Sequence, residues 1–148
     1  MSLLFSCGPS NEGMSVDGLE GTWGLVKTES YSSGEGTSPG KTILHFNPSD
    51  PSDGYIKMEV RKEGKHYAVT RYIWAEYSSK YEKREDIRWT VKGNKISDSN
   101  KKEATFTISG DNLTIESTLE TEMTSIFDGV PSSKLTIVDR YEFVRLSD

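Results

Sequence analysis

The chain has 148 residues, of which 33% are hydrophobic and 28% charged, as is typical of a single folded domain. It carries 18 Lys and Arg residues against 23 Asp and Glu residues, and the resulting net charge of −5 argues against nucleic acid as a partner. The single cysteine, Cys7, excludes an internal disulfide bond, and with only two histidines the sequence predicts neither a metal site nor a cofactor.

The amino terminus carries a candidate lipidation signal. The run LLFSC at residues 3–7 consists of apolar residues, a small residue and the cysteine, after which the chain turns polar. This pattern resembles a bacterial lipobox, whose cysteine thiol receives a diacylglycerol anchor. We interpret residues 1–7 as a truncated lipoprotein signal remnant and residues 8–17 as a flexible tether. An incidental cysteine after a short apolar start is the alternative interpretation.

Residues 18–148 are predicted to form one β domain. From Leu19 onward apolar residues recur at every second position, which indicates strands rather than helices. Strands are predicted at residues 22–27, 42–46, 55–61, 67–77, 87–91, around 96, and at 104–109, 113–117, 122–127 and 135–146. The intervening segments 30–40 and 47–54 are rich in Gly, Ser, Pro and Asp and are predicted to be loops.

The number and spacing of the predicted strands limit the architecture. About eight to ten antiparallel strands joined by tight turns indicate an up-and-down barrel or a sandwich. The charged stretch 78–86 is compatible with either a short helix or the end of a long hairpin. Pairing of the long last strand with the first strand around Trp23 would close the sheet and remove its free edges.

The opening LEGTWGL, residues 19–25, is similar to the Gly-x-Trp motif of lipocalins. It resembles more specifically the Leu-x-Gly-Thr-Trp opening of lipocalin-like lipoproteins of the Bacteroidetes type. Later segments resemble the paired hairpins and the closing strand of that group, namely residues 89–96, 106–115 and 140–146. The resemblance covers about residues 19–146 and implies an all-β fold, a single antiparallel up-and-down lipocalin-like barrel of about 8–10 strands.

The same resemblance implies a structural motif at the barrel base. There Trp23, next to Gly21, would close the barrel and stack against an arginine near the last strand, which is Arg145 or, as the second choice, Arg140. A guanidinium placed over an indole stabilises by on the order of 1 kcal/mol.

Aromatic residues are concentrated in the central third of the chain. Five of them are candidates for lining a ligand pocket, namely Tyr67, Tyr72, Trp74, Tyr77 and Trp89. The alternative is that they are ordinary core and rim residues of a β domain. Three nearby arginines are expected to pair with neighbouring Glu and Asp residues on a solvated face, namely Arg71, Arg84 and Arg88.

The sequence contains no nucleophile elbow, phosphate-binding loop or dinucleotide fingerprint, so we predict no catalytic residue and do not expect an enzyme. We predict a monomeric lipoprotein of the cell envelope, anchored to the outer membrane through Cys7 and facing the periplasm. Its barrel would bind or carry a small hydrophobic molecule. The alternative is a filled barrel that binds another envelope protein or a glycan, and a cavity of roughly 300 Å³ or more would favour the carrier.

Overall fold

A computed structural model describes residues 18–34, 39–50, 56–123 and 133–146. The predicted lipobox with Cys7 and the predicted tether lie outside these residues. The described residues form nine strands, with the bounds β1 Gly21–Gly34, β2 Gly40–His45, β3 Ile56–Glu63, β4 His66–Ala75, β5 Lys80–Lys92, β6 Lys95–Asp98, β7 Glu103–Ser109, β8 Asn112–Met123 and β9 Ser133–Arg145. Within the described ranges no helix is long and apolar enough to cross a membrane.

Eight of these strands close into an antiparallel up-and-down barrel. From β3 to β9 each strand pairs with the next along the chain, and both β3 and β9 pair with β1. The register sets Arg145 opposite Trp23 at one end of the β1–β9 pair and Leu135 opposite Gly34 at the other. The predicted fold class and the predicted closure by the last and first strands are therefore confirmed.

The ninth strand, β2, continues the edge of β1 beyond β3. The first residues of β1, 21–24, pair with β3, whereas residues 27–32 pair with β2. This double pairing explains why β1 runs on to Gly34, into a segment predicted to be a loop. With β9 on one edge and β2 on the other, backbone groups of this Gly- and Ser-rich stretch have hydrogen-bond partners that local sequence does not reveal.

The charged stretch 78–86 belongs to a hairpin and not to a helix. A turn over residues 76–79 leads into β5, which begins at Lys80. Ser79 takes a φ of 53°, and its amide donates to the Glu76 carbonyl. The predicted strand 122–127 corresponds to the end of β8 as far as Met123, and its remaining residues lie outside the described ranges.

The two ends of the barrel differ in height and filling. We call the end at Trp23 and Arg145 the base and the opposite end, where β6 ends at Asp98 and β7 begins at Glu103, the mouth. Strands β6 and β7 have 4 and 7 residues, whereas β1, β8 and β9 have 14, 12 and 13. The upper parts of β8, β9, β1 and β2 therefore rise above the mouth as a four-stranded sheet, which we call the wall.

The hydrophobic core fills the barrel from the base upwards. Trp23, Leu19, Leu25, Leu113 and Val69 are the largest fully buried side chains. Strand alternation explains the arrangement, because side chains two residues apart point to the same side of the sheet. In β3, for example, Met58 and Val60 are buried while Arg61 is exposed.

Candidate ligand-binding cavity

The base is closed by a tryptophan and an arginine. The indole Nε1 of buried Trp23 donates to the Leu19 carbonyl at 3.0 Å. The guanidinium carbon of Arg145 lies 4.3 Å from the centroid of the Trp23 ring. The two terminal nitrogens of Arg145 donate to the carbonyl oxygens of Glu20 at 2.7 Å and Gly18 at 2.8 Å. The stacking contact and these hydrogen bonds together close this end of the barrel. They also join β9 to Gly18 and Glu20, which precede β1.

Gly21 makes the approach of the arginine possible. A Cβ atom built on Gly21 would lie 2.5 Å from Nη1 of Arg145, and the residue has a φ of 141°. The structure thus brings together Gly21, Trp23 and Arg145, the three residues named for the base. The second choice, Arg140, lies elsewhere and pairs with Glu116 at 3.3 Å.

Above the core lies a cavity of about 250 Å³ that reaches the mouth. Its volume is slightly below the roughly 300–1,000 Å³ usual for small-molecule sites. Most of its lining is apolar, and its residues include Leu25, Met58, Trp89, Ile96, Ala104 and Phe143. Polar and charged side chains also line it, namely Arg71, Asp98, Lys102, Glu103, Ser117 and Tyr141. The arrangement therefore offers an apolar chamber with hydrogen-bonding groups.

Arg71 lies on the inner face of β4, in the alternation of Val69 and Ile73, and lines the cavity. Its Nη1 is 2.6 Å from an oxygen of Glu85, the residue opposite in β5. The sequence predicted pairing with nearby carboxylates on a solvated face. The ion pair is present and its two side chains remain 43% and 45% exposed, while strand alternation places them on the inner side of the sheet.

Tyr141 stands at the junction between the cavity and the wall. It lines the cavity, yet 38% of its surface is exposed. Burial raises the pKa of its phenol, the Asp139 charge raises it further, and Arg71 acts in the opposite direction. Strand alternation places Asp139 and Tyr141 of β9 on the inner side of the barrel, the side that Arg71 faces from β4.

The five predicted pocket aromatics occupy three different environments. Trp89 lines the cavity, whereas Tyr67 is buried in the core. Tyr72 and Trp74 alternate with the inward-facing Arg71 and therefore lie on the outer face of β4. Tyr77 is 85% exposed in a turn. The prediction of pocket lining is thus corrected for four of the five. Tyr67 packs in the core, strand alternation turns Tyr72 and Trp74 outward, and Tyr77 lies in the turn after β4.

On the outer face these aromatics form a small cluster of their own. The rings of Trp74 and Tyr81 meet edge to face, with centroids 5.2 Å apart. The Lys57 ammonium lies 4.4 Å from the Tyr81 centroid and 5.1 Å from that of Tyr72. Desolvation by burial is the main cause of the raised pKa of Tyr72. The Lys57 ammonium therefore makes cation–π contacts with the rings of both Tyr72 and Tyr81.

Sequence reasoning missed Asp139 and Tyr141 and did not predict that Arg71 lines the cavity. The alternation of the closing strand carried a signal for Tyr141, because this residue lies two positions from Phe143 and faces the same side of the sheet. Among the residues that the structure describes, no group of three or more His, Cys, Asp or Glu side chains is arranged to hold a metal ion.

Comparisons with known proteins add little to this description of the site. No family model matches the chain, and no curated protein matches it significantly. Among solved structures the chain is similar to apocrustacyanin C1, with 11% sequence identity and a TM-score of 0.49. The match covers 97% of this chain and 73% of that chain. At this level no property of that protein is carried over, and the barrel architecture rests on the strand register alone.

Proposed function

We propose that the protein binds a small hydrophobic molecule in the cavity below the barrel mouth. The observation that carries the proposal is a largely apolar chamber that lies above the closed base and reaches the mouth. The base is closed by Trp23 and Arg145, while the cavity above Trp89 reaches the mouth. Burial of apolar ligand surface in such a chamber contributes roughly 25 cal/mol per Å².

A cavity-filling variant tests the proposal. Ala104 lines the cavity on β7, so Ala104→Phe would place a ring where the ligand binds. Ala68 lies on the opposite, outer side of β4, and Ala68→Phe makes the same change away from the cavity. The melting temperature of each protein would be measured with a panel of small hydrophobic molecules.

We expect one or more of these molecules to stabilise the unmodified protein and the Ala68→Phe protein alike. A ligand at 100 times its dissociation constant stabilises by about 2.7 kcal/mol. The Ala104→Phe protein should remain folded and lose this response. Equal stabilisation of both variants would mean that the ligand binds outside the cavity, and the proposal would then be abandoned.

A filled interaction module is the second candidate, and the modest volume of the cavity favours it. At about 250 Å³ the chamber holds only a small molecule or part of a larger one. The outer cluster around Trp74 and Tyr81 would then be the surface presented to an envelope protein or a glycan. Loss of binding in a Trp74→Ala protein, with binding retained in Ala104→Phe, would favour this second function.

We further propose that Cys7 carries a lipid anchor that holds the barrel at the outer membrane. The support is the LLFSC run followed by a polar stretch. In cells, behind a complete lipoprotein leader, the protein should fractionate with membranes, and Cys7→Ser should move it to the soluble fraction. Unchanged fractionation of the Ser variant would remove this part of the proposal.

A further inference from the structure

A row of polar side chains crosses the inner face of the wall just above the cavity. Asp139 in β9 lies opposite Ser117 in β8 and Ser30 in β1. Ser30 in turn lies opposite Thr42 in β2. Asp139 is two residues from Tyr141, so it points to the same side of the sheet at a rise of about 7 Å. We call these four residues the polar row.

The polar row lacks the partners that carboxylates have on the other side of the wall. On the outer face the amine of Lys27 lies 2.8 Å from Glu29, and Arg140 lies 3.3 Å from Glu116. Within the described part of the chain, the Asp139 carboxylate has no ion pair or hydrogen bond. The hydroxyls of the row are likewise without a side-chain partner there. A carboxylate next to an apolar cavity is therefore available to a ligand.

The charges around the mouth indicate which head group would suit the row. Among the charged side chains that line the cavity, Arg71 and Lys102 balance Asp98 and Glu103, and the carboxylates of Glu85 and Asp139 lie next to this lining. Arg71, which could otherwise receive an anion, is held by Glu85 at 2.6 Å. A ligand carboxylate would meet repulsion, whereas an ammonium or hydroxyl group would donate to Asp139.

We infer that the ligand is an amphiphile with a hydrogen-bond-donating head, an ammonium or an alcohol, seated on the polar row. Its apolar body fills the cavity between Tyr141 and Trp89. This inference rests on the proposed function and deepens it, because it names the chemical class that the cavity accepts.

The test compares three head groups on one chain length. Dodecylammonium, dodecanol and dodecanoate would be titrated at pH 7, below their micelle-forming concentrations, with tryptophan fluorescence as the readout, since Trp89 lines the cavity. We expect dodecylammonium to bind most tightly and dodecanoate most weakly. A charge-assisted hydrogen bond corresponds to about a tenfold or larger difference in affinity.

Two variants assign the difference to the polar row. Asp139→Asn should remove the advantage of dodecylammonium over dodecanol. Glu120→Gln, on the outer face of β8, removes the same charge from the same sheet and should leave the order unchanged. Preference for dodecanoate, or an unchanged order in Asp139→Asn, would overturn the inference while leaving the cavity proposal intact. If none of the three compounds binds although a molecule of the hydrophobic panel does, the inference is likewise overturned, whereas the proposed function fails only if no molecule of that panel binds in the cavity.

Discussion

The base and the wall are built from the same strands, yet they are stabilised in different ways. In the lower half of β1, Trp23 and Leu25 are buried in the core. In the upper half the inner side chains open towards solvent, and the outer side carries ion pairs such as Lys27 with Glu29. The difference indicates that apolar burial stabilises one end of the barrel and leaves the other end free to bind.

Removal of Trp23 should have the largest effect on stability. We expect Trp23→Ala to lower the free energy of unfolding by about 3–5 kcal/mol, since a large buried ring leaves a cavity. Chemical denaturation measures the loss. If the side chains at the base contributed as little to stability as exposed side chains on the wall, the loss of unfolding free energy would be under about 1 kcal/mol.

The contact between Trp23 and Arg145 sharpens this prediction. Arg145→Gln alone should cost less than Trp23→Ala, because the packed indole remains. Residues in contact share their interaction, so the double variant should fall short of the sum of the single losses by at least about 0.5 kcal/mol. Additive losses would show that the stack observed at 4.3 Å contributes nothing to stability.

Two leucines provide a matched test of base against wall. Leu19 is fully buried at the base, whereas Leu119 is 58% exposed on the wall. Leu19→Ala should lower the free energy of unfolding by about 2–5 kcal/mol. Leu119→Ala should change it by no more than about 0.5 kcal/mol. Similar losses in the two variants, measured by urea denaturation, would remove the distinction between the two regions.

Gly21→Ala tests the close approach at the base. The new Cβ would collide with Nη1 of Arg145 at a φ that side chains rarely adopt. We expect a loss of about 1–3 kcal/mol. Gly110 has a φ of 60° and nothing within 4 Å of an added Cβ atom, so Gly110→Ala gives the cost of a left-handed φ without crowding. If Gly21→Ala costs no more than this control in thermal or urea unfolding, crowding by Arg145 is unimportant.

On the outer face of the wall, Glu29 should make stability depend on pH. Hydrogen bonds from Lys27 and Tyr31 hold its pKa at about 2, below the ordinary 4.5. A carboxyl whose pKa is lowered on folding stabilises the fold above its unfolded pKa. That contribution disappears as the pH falls from about 4.5 to about 2.

Glu29→Gln should therefore unfold at a lower urea concentration than the unmodified protein at pH 7 and at the same concentration near pH 2. Urea midpoints across the pH range measure this effect. Glu120→Gln on the same outer face is the control and should follow the unmodified protein. A pH-independent difference for Glu29→Gln would mean that the side chain acts through packing alone.

The sequence predicted most of the strands and the closure of the barrel by its first and last strands, and the resemblance of its opening segment implied the motif at the base. Strand alternation is a local property, and residues such as Met58 and Val60 reveal it directly. The contact between Trp23 and Arg145 was implied by the resemblance of the opening segment to a Gly-x-Trp motif. That motif is short and recognisable, and the contact requires only that the last strand return to the first. Each of these features depends either on residues that are neighbours in the sequence or on the order in which the strands follow one another along the chain.

Only the tertiary structure decided which side chains enter the cavity and where a ligand head could bind. Arg71, Tyr72 and Trp74 are close in sequence, but the side of the sheet that each one faces depends on which face of β4 turns inward. The polar row around Asp139 draws its members from four strands, so no local pattern could predict it. Barrel closure brings these distant residues to one face, and the unequal lengths of the strands leave that face uncovered above the mouth.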